Sequence, residues 1–220
     1  MLPRMASAFG LLVFLVLAGG FVAIVVLLVL AQQRRARERQ QAFAALAAKH
    51  GWTWVARDDR WNASFEGPPF GAGSRQASTN VLTGLYAGRP SVAFDYHYET
   101  TSTTHTNGRT QTHRESHDFS VVATDTGTAF PLLSVVPEGF LGRLVGRITG
   151  SDIELESEDF NRMFTVHSTN RRFASDVLHP RMMQLLMHYP QLAWRLQNGW
   201  LIVYHAGTHT PAEVEAKLPV

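Results

Sequence analysis

The stretch SVAFDYHYETTSTTHTNGRTQTHRESHDFSVVA, residues 91–123, decides what kind of fold this chain forms. Its first arm alternates, because residues 92, 94, 96 and 98 are Val, Phe, Tyr and Tyr, and polar residues fill most positions between them. A period of two is typical of a strand with one buried face. The alternation resumes at residues 119–123, and Asn107-Gly108, the strongest short hairpin signal, lies midway. We therefore predict one long β-hairpin.

The expected turn also fixes which residues of the hairpin face each other. If the chain reverses at Asn107-Gly108, the inner pairs bring apolar against apolar, as one buried face requires. A slip of one residue would put Ser120 against an aromatic ring. The predicted pairs are Val92 with Ala123, Phe94 with Val121, Tyr96 with Phe119, and Tyr98 with His117.

The polar part of this hairpin forms a flap rich in threonine and histidine, which holds the candidate metal ligands. On a strand, His113, Glu115 and His117 share a face, and imidazole with carboxylate is a ligand set that suits zinc. The register puts His97 and His105 on the opposite face, so the histidines do not all converge. Two interpretations stay open: a metal or pH-sensing site, and a solvated flap in which His97 faces Asp118 as an ordinary cross-strand pair.

Other apolar segments predict further strands around the hairpin. Asn198-Gly199 predicts a second tight hairpin, with Leu196 opposite Leu201 and Trp194 opposite Val203. The remaining strands are expected at 51–55, 81–86, 130–136, 152–156 and 164–168.

Helix signals concentrate in the second half of the chain. Ser157, followed by two acidic residues, is typical of a helix start, and Pro180 suits a first helical position. Residues 140–148 form a further helical stripe, expected either to cap the core or to lie on a lipid leaflet. Thr210 and Glu213 form a capping box. Together these signals predict an α+β domain with an antiparallel sheet and a C-terminal helical layer.

Residues 8–31 read AFGLLVFLVLAGGFVAIVVLLVLA, without a charged, amide or hydroxyl side chain. At ~1.5 Å per residue this run is about 36 Å long as a helix, enough for a hydrocarbon core about 30 Å thick. We therefore predict an N-terminal transmembrane helix. The alternative is a cleaved signal peptide, whose apolar region is usually shorter, about 7 to 15 residues.

Four arginines follow this run and indicate an orientation. Positive flanks stay on the cytoplasmic side of a membrane, which predicts the N-terminus outside and the domain in the cytoplasm. The same arginines are expected to contact anionic lipid headgroups. The predicted membrane flank is Arg34, Arg35, Arg37 and Arg39.

Composition and motifs exclude several classes of function. The formal net charge of +2 predicts no nucleic-acid partner, and the lack of cysteine rules out disulfides and thiol nucleophiles. The loop Gly67–Ser74 lacks the lysine of a phosphate-binding loop. No motif indicates a cofactor or a catalytic constellation. We therefore expect no cofactor, and a protein that is not an enzyme.

Five motifs spread along the chain carry a resemblance to a known family. They are GPPFGAG (67–73), NVLTG (80–84), FDYHY (94–98), ESEDFNRMF (156–164) and FASDVLHPRM (173–182). On these motifs the chain resembles a family of uncharacterised single-pass membrane proteins of high-GC actinobacteria. The resemblance implies a membrane anchor with one domain, and it implies no activity or site residue.

The expected organisation is a tail and span at 1–31, a polar juxtamembrane helix at 32–50 and one domain at 51–220. The expected function is a membrane-anchored, non-catalytic binding or scaffold domain at the inner leaflet, with membrane lipid and a membrane or cytoplasmic protein as partners. A metal-dependent enzyme that uses the flap, and an outward-facing envelope domain, are the alternatives.

Overall fold

The computed structural model describes the backbone of residues 3–106, 109–141 and 150–217, and the side chains of residues 20–105, 110–140 and 150–215. A 3-10 turn lies at Asp59–Ala63. The helices are α1 (Pro3–His50), α2 (Glu138–Leu141), α3 (Glu158–Met163), α4 (Arg171–Val177), α5 (Pro180–Met187) and α6 (Pro211–Lys217). The strands are β1 (Thr53–Arg57), β2 (Ser74–Tyr86), β3 (Arg89–Thr106), β4 (Arg109–Asp125), β5 (Leu133–Pro137), β6 (Ser151–Asp152), β7 (Phe164–Ser168), β8 (Ala193–Gln197) and β9 (Trp200–Ala206).

The strands form one antiparallel sheet in the order β1-β2-β3-β4-β9-β8-β5-β7-β6. The predicted α+β class with an antiparallel sheet is confirmed. The long hairpin β3–β4 also has the predicted register, with Val92 opposite Ala123 and Tyr98 opposite His117. The turn predicted at Asn107-Gly108 lies outside the described residues. The apolar pattern therefore selected the pairing that buries every aromatic side chain of one face.

The second predicted hairpin, β8–β9, is confirmed as well. Leu196 lies opposite Leu201, and the turn residues Asn198 and Gly199 have φ angles of 50° and 81°. Two successive positive φ values are what a tight turn between twisted antiparallel strands requires.

Three apolar clusters cover the two faces of the sheet. One face carries an aromatic core, built around Phe94, Tyr96 and Tyr204. On the other face, α3, α4 and α5 pack over strands β5, β7 and β8 as the expected helical layer. Elsewhere on that face, the last turns of α1 and the helix α6 pack against β2, β3 and β4.

The helix caps predicted from the sequence are present in the structure. Ser157 accepts from the amide of Phe160, and Pro180 occupies the first turn of α5. Thr210 and Glu213 form the reciprocal capping box, with distances of 2.7 and 3.2 Å. The helical stripe expected at 140–148 is described only to residue 141, within α2; the rest lies outside the described residues.

The chain divides into two compact units, residues 1–42 and 43–220. Helix α1 runs through the predicted span and the polar segment after it. It ends at His50, and the φ of 65° at the following Gly51 suits a helix stop.

The prediction of a transmembrane helix is wrong. Across the part of the chain that the structure describes, no helix has both the length and the apolar character needed to cross a bilayer. The side chains of residues 8–19 lie outside that part, and the apolar remainder of the run, residues 20–31, covers only about 18 Å at ~1.5 Å per residue. Arginine and glutamine follow it directly, so the same helix continues as a polar one.

Candidate functional site

The outer half of the β3–β4 hairpin, described at residues 100–106 and 109–115, projects beyond the strands on either side of it. The pairing of β2 with β3 ends where Ser74 faces Glu99, and that of β9 with β4 ends where Ala206 faces Phe119. Beyond these points, β3 and β4 continue as a two-stranded ribbon up to the pair Thr106 and Arg109. We call residues 100–115 the tip, and the paired residues 89–99 and 116–125 the base.

The tip and the base differ in exposure as well as in pairing. Tyr96 and Val121 in the base have 0% of their surface exposed, whereas the described tip residues 101–105 and 110–115 are all exposed. The tip contains six threonines among its described side chains, and its charged residues there are Arg114 and Glu115. A polar surface held on a rigid base is suited to contact with another molecule.

A stack of aromatic rings lies where the tip joins the base. The Tyr98 ring lies between Phe119 and His117, with ring centroids 5.8 and 4.7 Å away and interplanar angles of 6° and 18°. His117 Nε2 also lies 2.8 Å from the hydroxyl of Thr100, the first residue of the tip. These contacts extend the apolar packing of the core to the point where the ribbon leaves the sheet.

The loop 67–73 covers the aromatic face beside this stack. Phe70 is 3% exposed, and its ring centroid lies 5.1 Å from that of Tyr96. Gly73 has a φ of 61° and lies so close to Tyr98 and Glu99 that a Cβ would overlap them. Glycine is required there because both the backbone angle and the space exclude a side chain.

A buried arginine holds the start of the same loop. Arg195 of β8 is 2% exposed and donates to the carbonyls of Glu66 and Pro68, the latter at 2.6 Å. Its guanidinium carbon lies 5.9 Å from the centre of the Tyr204 ring. Among the described residues, no carboxylate forms an ion pair with Arg195, so loop carbonyls take the place of an acidic partner.

A second buried polar group lies on the opposite face of the base. Asp95 accepts from the side chain of Asn80 at 2.8 Å and from the backbone amide of His209 at 2.6 Å. The His209 ring nitrogen Nδ1 is 3.4 Å from the same carboxylate, and the two side chains are 1% and 5% exposed. These contacts fix the segment between β9 and α6, which lets α6 close over the end of α1.

Burial on the aromatic face changes the acidity of two phenols. Desolvation raises the pKa of Tyr96 to about 12. It also raises the pKa of Tyr204, although the nearby Arg195 cation opposes that shift. Both hydroxyls therefore remain protonated at any physiological pH.

The residues predicted as metal ligands share a ribbon face but do not gather around one point. Among the described residues, no group of three His, Cys, Asp or Glu side chains is placed to hold a metal ion. His117 is occupied by the Tyr98 stack and by Thr100, and His113 and Glu115 are exposed. The metal site remains a prediction without geometric support.

The other interpretation of the flap histidines has a direct counterpart in the structure. His97 Nδ1 lies 2.8 Å from Asp118 Oδ1, as the cross-strand register requires.

The predicted membrane flank lies on α1 within the first unit. Arg34, Arg35 and Arg37 are exposed, and Arg39 is half-buried.

Sequence reasoning missed Asp95, His209, Arg195 and Tyr204. Asp95 lies on the polar side of an alternating strand, which normally indicates solvent. Asp95 is buried because the segment after β9 packs over it. The sequence signal for this packing was the capping box at Thr210, which predicts a helix directly after His209.

Comparison with known proteins gives one structural likeness. The fold is similar to that in the crystal structure of the mycobacterial trehalose monomycolate transport factor A, TtfA, with a TM-score of 0.61. The match covers 83% of this chain and 90% of that chain at 14% sequence identity, a level at which it shows the fold only. No family model matches the chain. No curated protein matches it either.

Proposed function

We propose that this chain is a non-catalytic, membrane-associated domain that takes part in the transport of an envelope lipid. The observation that carries the proposal is the likeness to TtfA, which extends over most of both chains. A match over most of both chains indicates a shared architecture and not only a shared local motif. One fold can host different functions, and deletion of the gene tests this one directly.

The burial of the Asp95–His209 pair supports a non-catalytic role. Asp95 and His209 are almost fully buried, and their contacts hold backbone segments in place. Arg195 is likewise committed to loop carbonyls. The tip presents an exposed polar surface at residues 101–105 and 110–115, and we propose that the tip is the interaction site of the domain.

The exposed apolar residues of α1 support association with a membrane. Phe21 is 68% exposed and Leu27 is 65% exposed, and the other described residues of this segment, 20–31, are exposed as well. A contiguous exposed apolar surface of this kind marks a contact with lipid or protein. The arginines that follow favour anionic headgroups. We propose the cytoplasmic leaflet, because its anionic lipids attract basic segments.

Deletion of the gene in its native host tests the role in lipid transport. We expect an envelope glycolipid to accumulate in the inner-membrane fraction and to return to its normal distribution when the full chain is supplied. Mass spectrometry of separated membrane fractions measures both. An unchanged lipid distribution after deletion would contradict the proposal.

A short-tip variant then tests the interaction site. It lacks residues 101–106 and 109–114 but keeps Asn107-Gly108, so Thr100 still faces Glu115. We expect this variant to fail to restore the lipid distribution, and the control Arg162→Ala, at an exposed ion pair of α3, to restore it. Full restoration by the short-tip variant would remove the tip from the function.

A single cysteine tests the compartment. The chain has no cysteine, and Ser74 is exposed at the start of β2. We expect Ser74→Cys to resist an impermeant thiol reagent in intact cells and to react after lysis. Labelling in intact cells would place the domain outside.

A further inference from the structure

The tip has two outer backbone edges, one on β3 and one on β4, that face away from the ladder between these strands. Among the described residues, no strand pairs with the outer side of β3 beyond Glu99 or with that of β4 before Phe119. A two-stranded ribbon is marginally stable in water, and its free amides and carbonyls can accept a further strand.

The two edges of the tip differ in how they are protected. The β4 edge carries Arg114 and Glu115, and charges of this kind discourage edge pairing. The β3 edge, residues 100–105, reads TTSTTH, without lysine, arginine, acid, proline or glycine. It is also rich in β-branched threonine, which favours strands. The β3 edge is therefore the one open to a partner strand.

We propose that the β3 edge of the tip pairs antiparallel with the same edge of a second copy of this chain. The free backbone of β3 beyond Glu99 runs from residue 100 to residue 106 and has its midpoint at Thr103, so a two-fold axis there sets Thr103 against its own copy. Ser102 then faces Thr104, and Thr101 faces His105. No like charges meet in this register, and opposed threonines stabilise antiparallel pairs.

The resulting dimer contains one continuous four-stranded ribbon between two domains. Such self-pairing of one surface is the isologous contact of a two-fold dimer. The edge is short, so the contact is a weak one that benefits from the high local concentration of chains on a membrane. This inference rests on the tip being the interaction site, and it names the partner there.

Disulfide trapping in the full chain tests the pairing directly, because the natural sequence contains no cysteine. Thr103→Cys is compared with Thr112→Cys, its exposed cross-strand partner on the β4 edge, in detergent under mild oxidation. We expect a covalent dimer at least about fivefold more abundant for Thr103→Cys, and a decline for cysteines placed away from residue 103. Equal trapping at both positions would overturn the proposal.

A charge variant gives a second measurement that does not depend on cysteine geometry. Sedimentation equilibrium in detergent compares the natural chain with Thr103→Lys and with Thr112→Lys, after circular dichroism has established that both variants are folded. We expect Thr103→Lys to raise the dimer Kd at least about tenfold, equivalent to about 1.4 kcal/mol, and Thr112→Lys to leave it nearly unchanged.

The possible outcomes separate this inference from the proposed function. A monomeric natural chain, or a dimer that survives Thr103→Lys, overturns the self-pairing and points to another surface. An extended segment of a different protein trapped at residue 103, with no homodimer, also overturns it. In each of these cases the lipid measurements after gene deletion still test the proposed function independently of the self-pairing.

Discussion

The base and the tip of one hairpin show how the same strands serve two purposes. Both halves share a continuous antiparallel ladder from Ser91 and Thr124 to Thr106 and Arg109. In the base, neighbouring strands and an aromatic core cover the ladder, whereas the described tip residues have solvent on both faces. Backbone pairing is thus common to both halves, and they differ in the apolar area buried by their side chains.

This difference indicates where stability and binding reside in the molecule. Burial of apolar surface contributes roughly 25 cal/mol per Å², so the base supplies most of the hairpin's share of folding free energy. The tip contributes little to the folding free energy. Its residues can therefore serve contact with a partner at little cost in stability. Four measurements, from the largest expected effect to the smallest, test this division.

Removal of an aromatic ring from the base should have the largest effect. Phe94 is 1% exposed, and its ring centroid lies 6.0 Å from that of Trp61. We expect Phe94→Ala to lower the free energy of unfolding by about 3–5 kcal/mol. The matched change at the tip, Thr103→Ala, should stay within about 0.5 kcal/mol. Chemical denaturation measures both, and similar losses at the two positions would abolish the distinction.

Loss of the buried carboxylate on the other face of the base should come next. Asp95→Ala leaves the Asn80 side chain and the His209 amide without their acceptor. We expect a loss of about 2–3 kcal/mol, because buried donors lose charged hydrogen bonds. The control is Asp118→Ala at an exposed pair with His97, which should cost no more than about 1 kcal/mol. A loss at Asp95 no greater than at Asp118 would show that the buried contacts are not stabilising.

High pH should weaken the base and leave the tip unaffected. The pKa of Tyr96 is about 12 in the folded chain and about 10 in the unfolded one, because burial disfavours the phenolate. Its contribution is fully present below pH ~10 and is lost as the pH rises from about 10 to about 12. Tyr204 acts in the same direction. Thermal unfolding from pH 8 to 11 should therefore show a falling Tm.

A tyrosine control assigns this pH dependence to the core. Tyr96→Phe should flatten the decline in Tm, whereas Tyr189→Phe, at a side chain that is 43% exposed, should leave it unchanged. An equal flattening by both variants would mean that general charge repulsion causes the decline.

Shortening of the tip should have the smallest effect on folding. The short-tip variant keeps the stack of Tyr98 on His117, and the described side chains that it removes are all exposed. We expect its free energy of unfolding to change by less than about 1 kcal/mol, while dimer formation is lost. A loss of several kcal/mol would show that the tip belongs to the folded core.

Patterns that are local in sequence predicted the parts of the fold that depend on local physics. The alternation around Phe94 and the two Asn-Gly pairs in the sequence predicted the registers of both hairpins, because a slip of one residue would expose an entire face. The helix starts at Ser157, Pro180 and Thr210 were equally accessible, since a cap depends on a few adjacent residues.

The same reasoning failed where the outcome depends on a larger part of the chain. The long apolar run predicted a transmembrane helix, because its composition matches that of a bilayer span, but no described helix qualifies as one. The metal site suggested by His113, Glu115 and His117 stays a prediction, because no group of three such side chains among the described residues is placed to hold an ion.

The sequence by itself determined the antiparallel hairpins and the caps of this protein. Only the tertiary structure decided that Asp95 is buried beneath His209, that Arg195 holds the loop through Pro68, and that the tip extends past its neighbours. The physical reason is that strand period and turn chemistry act between residues close in the chain. Burial of one polar group depends instead on which distant segment packs over it.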